Sequence, residues 1–229
     1  MKATQALHEA GQSLWLDNIN RALPDGGILR RYVDEYPVTG LTSNPAIFDQ
    51  AIKDSTAYDV GLFAPVHART GTVDGWVSLE VSPLLVHDTP STVDQASQAY
   101  RAYRELLDSP RWWRLASEGA RAQRLLWAPT SVKDPGVPDV LYAEALTAPF
   151  TVSTMPDHTL EAFAGHGTVG GLLPTDGGDA DQVIAAFARA GIDAASLAGE
   201  LQRQGAEAFA ASWQDLLARI GARHEQLSR

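Results

Sequence analysis

Short apolar segments of the chain end repeatedly in polar residues and a turn. Residues 39–45, TGLTSNP, are one example, and the segments SLWLDNI, GWVSLEVSP, RLLWAPTSV and FTVSTMP share the pattern. Between the extended segments lie stretches with the apolar spacing of helices, the clearest of them at 91–107. Extended and helical segments therefore alternate. This order predicts a parallel sheet, because parallel neighbours need a crossover connection that is usually helical.

The polar strand ends predict where a site would lie. In a (β/α)8 barrel the side chains at the carboxyl ends of the strands converge on one face, where the active site is built. The candidates for such a site are Asp17, Thr42, Ser43, Asn44, Glu80, Ser131, Lys133, Ser153 and Thr154. For any single strand end, the turn chemistry of Asn-Pro, Ser-Pro or Asp-Pro is an alternative explanation. Five ends of one kind favour a shared site.

Composition excludes several classes of protein. With 229 residues, 45% of them hydrophobic, the chain is long enough for one domain, which we expect to span 1–229 with helices at 179–220 packed on it. A formal net charge of −10 argues against a nucleic-acid partner. The absence of cysteine excludes disulfides and thiolate metal sites. No segment has the roughly 20 apolar residues of a membrane span, and no secretory signal is present, so we expect a cytoplasmic protein.

The same segments carry a resemblance to a known family. WLDNI, TGLTSNPAIFDQAI, VSLEVSP, QRLLWAPTSVKDP, LYAEAL and TVSTMPDHTLEAF are similar to successive blocks of bacterial transaldolases, in the family order. The resemblance implies a (β/α)8 barrel that needs neither a metal nor an organic cofactor. It also implies an activity, the transfer of a dihydroxyacetone unit from a ketose phosphate to an aldose phosphate in the non-oxidative pentose phosphate pathway.

The resemblance also implies roles for individual residues. In transaldolases a lysine forms a Schiff base with the ketone, and carboxyl groups move protons. Asp17 resembles the acid/base residue, and Glu80 resembles the residue that works with a water on the imine. Asn44, with Thr42 in the same block, would contact substrate hydroxyls. Ser131 and Lys133 resemble a phosphate-binding pair. The structural alternatives are that Asp17 caps a turn and that Lys133 is a solvated surface lysine.

One departure from the family concerns the Schiff-base lysine itself. Transaldolases carry it on the fourth strand in a block resembling Ile-Lys-Ile-Pro, and no such block is present. After VSPLLVHDTPSTVDQA the chain passes directly to QAYRAYRELLDSPRW, which resembles the helix before the seventh strand. Strands four to six are therefore expected to be missing, and a smaller gap is expected near residues 58–63. The lysines of the chain are Lys2, Lys53 and Lys133, none of them in the nucleophile's context.

Five parallel strands cannot close the ring that eight strands close, so the sequence predicts an incomplete barrel made of family strands one, two, three, seven and eight. Its open edges can self-associate. The helix at 91–107 can serve as a crossover that makes strands three and seven neighbours. Three interpretations remain open: a transaldolase shortened in its gene or its gene model, with impaired activity; a non-catalytic sugar-phosphate-binding relative; and an aldolase that uses Lys133 as a new imine-forming amine.

Overall fold

The structure, a computed structural model, describes residues 1–18, 27–43, 68–71, 77–79, 89–128 and 130–227. The order of its elements follows the alternation that the sequence predicts. The strands are β1 (Ser13–Asp17), β2 (Val38–Ser43), β3 (Val77–Leu79), β4 (Leu125–Trp127) and β5 (Thr151–Met155). The helices are α1 (Ala3–Glu9), α2 (Ile28–Glu35), α3 (Thr89–Leu107), α4 (Pro110–Ser117), α5 (Leu141–Ala145), α6 (Asp157–His166), α7 (Ala180–Arg189) and α8 (Ala194–Leu227).

Within the described ranges, the strands form one sheet in the order β3-β2-β1-β5-β4, and every pair in it is parallel. The prediction of about five parallel strands is confirmed. β1 and β5, the first and the last strand in chain order, lie side by side in the middle of the sheet. β3 and β4 lie at opposite edges, so the compact arrangement in which these two strands become neighbours is not formed.

One face of the sheet, here called the helix face, packs against helices. Leu14 and Leu16 of β1 and Met155 of β5 join a buried cluster with residues of α1, α2 and α6, among them Leu7, Leu29, Leu160 and Phe163. A second cluster joins Trp127 of β4 to Tyr100 of α3. Residues paired in register share a face, so Trp15, Asp17, Gly40, Thr42 and Thr154 lie on the opposite side, here called the site face.

The pairing of β1 with β2 contains one extra residue on β2. Leu14 is opposite Val38, but Trp15 is opposite Gly40, and the register shifts between them. A Cβ at Gly40 would lie 2.6 Å from Cε2 of Trp15. Glycine therefore lets the buried indole of Trp15 lie directly against the backbone of β2.

Local sequence explains where α4 begins. α4 begins after Ser109, whose Oγ accepts a hydrogen bond of 3.2 Å from the Trp112 backbone N–H, and Pro110 fills the first turn. α7 lies against α3, where Arg101 forms an ion pair of 2.7 Å with Asp181.

No helix within the described ranges is long and apolar enough to cross a membrane.

Candidate active site at the carboxyl ends of the strands

Asp17 and Thr42 form the centre of the candidate site. They are register partners at the carboxyl ends of β1 and β2, and the Thr42 hydroxyl donates a hydrogen bond of 2.9 Å to Oδ1 of Asp17. Thr42 is fully buried, whereas Asp17 is half-buried. Burial raises the pKa of the Asp17 carboxyl above its ordinary value, and the hydrogen bond from Thr42 partly offsets the rise. A carboxyl in this environment is suited to exchanging protons with a ligand.

The extra residue on β2 brings these two side chains together. With an uninterrupted register from Leu14 and Val38, Asp17 would be opposite Leu41. The shift instead places Leu41 opposite Leu16 in the cluster on the helix face and aims Thr42 at Asp17. Irregularities of this kind often redirect a side chain beside an active site.

A second polar contact links the end of β1 to the start of α6. Asn18 donates a hydrogen bond of 2.5 Å from Nδ2 to Oδ2 of Asp157. The sequence analysis did not single out either residue. Both lie just past strand ends, since Asn18 is the first residue after Asp17 and Asp157 is the second residue after Met155. The rule that selected the other candidates could therefore have found this pair.

The hydroxyls near the ends of β4 and β5 are engaged with the backbone. Thr130 Oγ1 donates a hydrogen bond of 2.9 Å to the Thr154 carbonyl, and Thr154 Oγ1 donates one of 3.2 Å to the Trp127 carbonyl. Thr130, Ser153 and Thr154 are all buried. These contacts tie the segment after β4 to β5 and thereby position its next residues.

Ser131 and Lys133 lie in that segment, beyond the end of β4. Ser131 is half-buried and Lys133 is exposed. Since β4 is the second strand from β1, the two strand ends are separated by about 10 Å across the sheet. Ser131 and Lys133 therefore follow a strand that ends at the same edge of the sheet as Asp17, and no hydrogen bond joins either of them to Asp17 within the described residues. Asn44 and Glu80 fall outside the described residues, so their predicted roles stay predictions.

Lys2 lies at the other end of the sheet. Its Nζ is 3.6 Å from Oε2 of Glu35 and 4.6 Å from the centre of the Tyr36 ring. Both partners precede β2, which starts at Val38, and the carboxyl end of β2 at Thr42 is roughly 13 Å further along the strand. Lys53 falls outside the described residues. Lys133 is thus the lysine of the described ranges that lies on the site's side.

Comparison with known proteins decides the family. The family model described as "Transaldolase/Fructose-6-phosphate aldolase" matches residues 14–111 and 96–220. The chain belongs to this family. Its fold is therefore an incomplete (β/α)8 barrel, with the parallel sheet and flanking helices described above. The two matched ranges overlap at residues 96–111, which contain most of α3. This helix is therefore included in both matches to the family model.

The relatives within the transaldolase family are longer than this chain. A transaldolase of Arthrobacter sp. is 28% identical over 353 residues, covering 93% of this chain and 95% of the relative. One of Acidothermus cellulolyticus is 28% identical over 361 residues, covering 97% of each. One of Thiobacillus denitrificans is 28% identical over 359 residues, covering 96% of this chain and all of the relative. Subtracting 229 from 353 leaves at least 124 positions in the first alignment without a residue of this chain.

The long alignments show that this transaldolase-family chain is shortened internally. They cover nearly the whole of each relative, so the unmatched positions lie within the alignments. No group of three or more histidine, aspartate or glutamate side chains that could hold a metal ion occurs in the described part of the chain.

Proposed function

We propose that the protein is a transaldolase-family member that recognises ketose phosphates at the carboxyl ends of its strands but transfers a dihydroxyacetone unit poorly or not at all. The observation that carries this proposal is a site-like Asp17–Thr42 contact beside which the described part of the chain places no lysine. Lys2 is at the opposite end of the sheet, and Lys133 is an exposed residue in the segment after β4, the second strand from β1. Cleavage of the substrate requires an imine nitrogen as an electron sink.

In this proposal the recognition residues keep the roles that the family resemblance implies. Asp17 is the acid/base residue, Glu80 works with a water, and Asn44 contacts a substrate hydroxyl. Ser131 and Lys133 hold the phosphate of fructose 6-phosphate or sedoheptulose 7-phosphate. The proposed setting is the non-oxidative pentose phosphate pathway in the cytoplasm, without a metal or an organic cofactor. The relatives are named transaldolases, which supports the transfer reaction in this proposal.

The test combines binding, trapping and turnover on the purified chain. Calorimetric titration with fructose 6-phosphate should give a saturable binding signal that weakens in Lys133→Met. Lys2→Met is the matched control, because this lysine lies at the far end of the sheet. Three-carbon transfer to erythrose 4-phosphate should be absent or very slow. Rapid transfer that persists in Lys133→Met would refute the loss of catalysis, and lack of binding would refute recognition.

A second candidate function is favoured by the position of Lys133. It is exposed in the segment after β4, on the side of the sheet where Asp17 lies, and could form an imine if the bound state buries its amine. Borohydride reduction in the presence of fructose 6-phosphate would then leave a covalent adduct, detected by intact mass. The adduct should be lost in Lys133→Met and retained in Lys2→Met. Binding without an adduct favours the first proposal.

The open edges support a proposal of self-association. β3 and β4 end the sheet of the described residues, and both run in the same direction as their neighbours. Unpaired strand edges readily pair with another chain. Sedimentation velocity over a range of concentrations should therefore show reversible association, and a monomer throughout would contradict it.

Sequencing the gene across the codons for residues 58–63 and 93–100 tests the alternative of a shortened gene product.

A further inference from the structure

The hydrogen bond from Thr42 makes the two oxygens of the Asp17 carboxyl inequivalent. Thr42 donates to Oδ1 over 2.9 Å, and no described residue donates a hydrogen bond to Oδ2. Thr42 is 0% exposed, so its hydroxyl is shielded from solvent, whereas Asp17 retains partial exposure. Thr42 therefore holds one oxygen, and the other accepts no hydrogen bond from the part of the chain that the structure describes.

We propose that Thr42 is a positioning residue that acts through Asp17: its hydroxyl fixes Oδ1, so that Oδ2 of Asp17 faces the substrate. This assignment differs from the expectation that Thr42 contacts substrate. It rests on the proposed function only for the acid/base role of Asp17.

The local backbone supports the assignment independently of any ligand. The extra residue on β2 makes Thr42 rather than Leu41 the register partner of Asp17. Gly40 contributes on the same face, because the indole of Trp15 occupies the space that a Cβ would take. Three consecutive residues of β2 are thus arranged so that the threonine hydroxyl meets the carboxylate. The first residue after β1, Asn18, is held by its hydrogen bond to Asp157 at the start of α6.

Direct titration of the Asp17 carboxyl tests the proposal without substrate. Carboxyl carbons are followed by ¹³C NMR in protein labelled at aspartate, and Asp17→Asn identifies the Asp17 signal. Thr42→Val removes the hydroxyl at nearly constant shape, and Thr42→Ser is the matched control that keeps it. The pKa of Asp17 should rise further in Thr42→Val, because the ionised form loses a donor, and should stay close to the wild-type value in Thr42→Ser. An unchanged pKa in Thr42→Val overturns the proposal.

A second measurement uses the wild-type fold, in case Thr42→Val does not fold. The methyl signal of Thr42 should move with pH at the midpoint of the Asp17 titration, and this movement should vanish in Asp17→Asn. A methyl signal that ignores the ionisation of Asp17 overturns the proposal. Neither measurement contains a sugar phosphate, so its failure is distinct from a failure of the proposed function, which would appear as lack of binding.

Discussion

The contact between Gly40 and Trp15 allows a quantitative test of packing on the site face. In Gly40→Ala the new Cβ would lie 2.6 Å from Cε2 of Trp15 and 2.7 Å from its Cδ2 and Nε1. Trp15 is only 5% exposed, so the ring has little room to move. Overpacking of this kind costs about 1–3 kcal/mol. Alanine also lowers the conformational entropy of the unfolded chain relative to glycine, and this effect offsets about 0.4–1 kcal/mol of that cost. The steric effect is therefore expected to dominate.

The assay is urea unfolding followed by far-ultraviolet circular dichroism, with a thermal scan beside it. A net loss of about 1–2 kcal/mol corresponds to a fall in Tm of roughly 2–8 °C for a chain of this size. Gly165→Ala is the matched control, because Gly165 is in α6 and a Cβ there meets nothing within 4 Å. That variant should be more stable by about 0.5–1 kcal/mol. If Gly40→Ala matches the wild type in stability, the close packing inferred for Trp15 is refuted.

Two further predictions concern buried polar groups. Gln12, 1% exposed, donates from Nε2 to the Leu146 carbonyl at 2.8 Å and to Thr151 Oγ1 at 2.7 Å. In urea titrations Gln12→Leu should lower the free energy of unfolding by about 1–3 kcal/mol, because the Leu146 carbonyl is left buried without this donor. The control Gln5→Leu, at an exposed position, should change it by less than about 0.5 kcal/mol. Equal losses in the two variants would contradict the role of burial. Because the pKa of Asp17 is raised in the folded state, ionisation of this group disfavours folding above its folded pKa. Asp17→Asn should therefore be more stable than the wild type at neutral pH, and the gap in the free energy of unfolding should narrow as pH falls through the raised folded pKa and close by the ordinary aspartate pKa. A gap that widens toward acid would contradict the raised pKa.

The strands that could be predicted from the sequence are those whose apolar segment ends in a polar residue. β1 and β5 are short, buried and followed by polar groups, so their sequence separates them clearly from the helices. The relative position of β3 and β4 could not be predicted in this way, because sheet order depends on which pairs remain hydrogen-bonded. α3 is about 28 Å long, and a sheet of five strands is roughly 19 Å across. The helix is therefore long enough to connect strands at opposite edges.

The site was only partly predictable for a similar reason. The position of Asp17 at a strand end is visible in the sequence, and the role proposed for it rests on resemblance. The partner of Asp17 depends on one extra residue in β2. The signal for it in VTGLTS is Gly40, because a glycine inside a strand often marks a bulge or a close backbone approach, but a glycine alone does not fix the register. The hydroxyls of Thr130 and Thr154 are likewise polar in the sequence, yet they bond to backbone carbonyls rather than stand open to a ligand.

The sheet order also explains why an internally shortened barrel can retain one continuous sheet. In a closed ring the first and last strands are neighbours, and here β1 still pairs with β5. Loss of consecutive strands opens such a ring at a single gap, so each remaining strand keeps at least one partner. The contacts around Asp17 come from β1, β2 and the start of α6, all on the retained side of the gap. The proposed separation of recognition from cleavage is compatible with this order, because the residues proposed for recognition follow retained strands, whereas the family block with the Schiff-base lysine is expected to be lost with strands four to six.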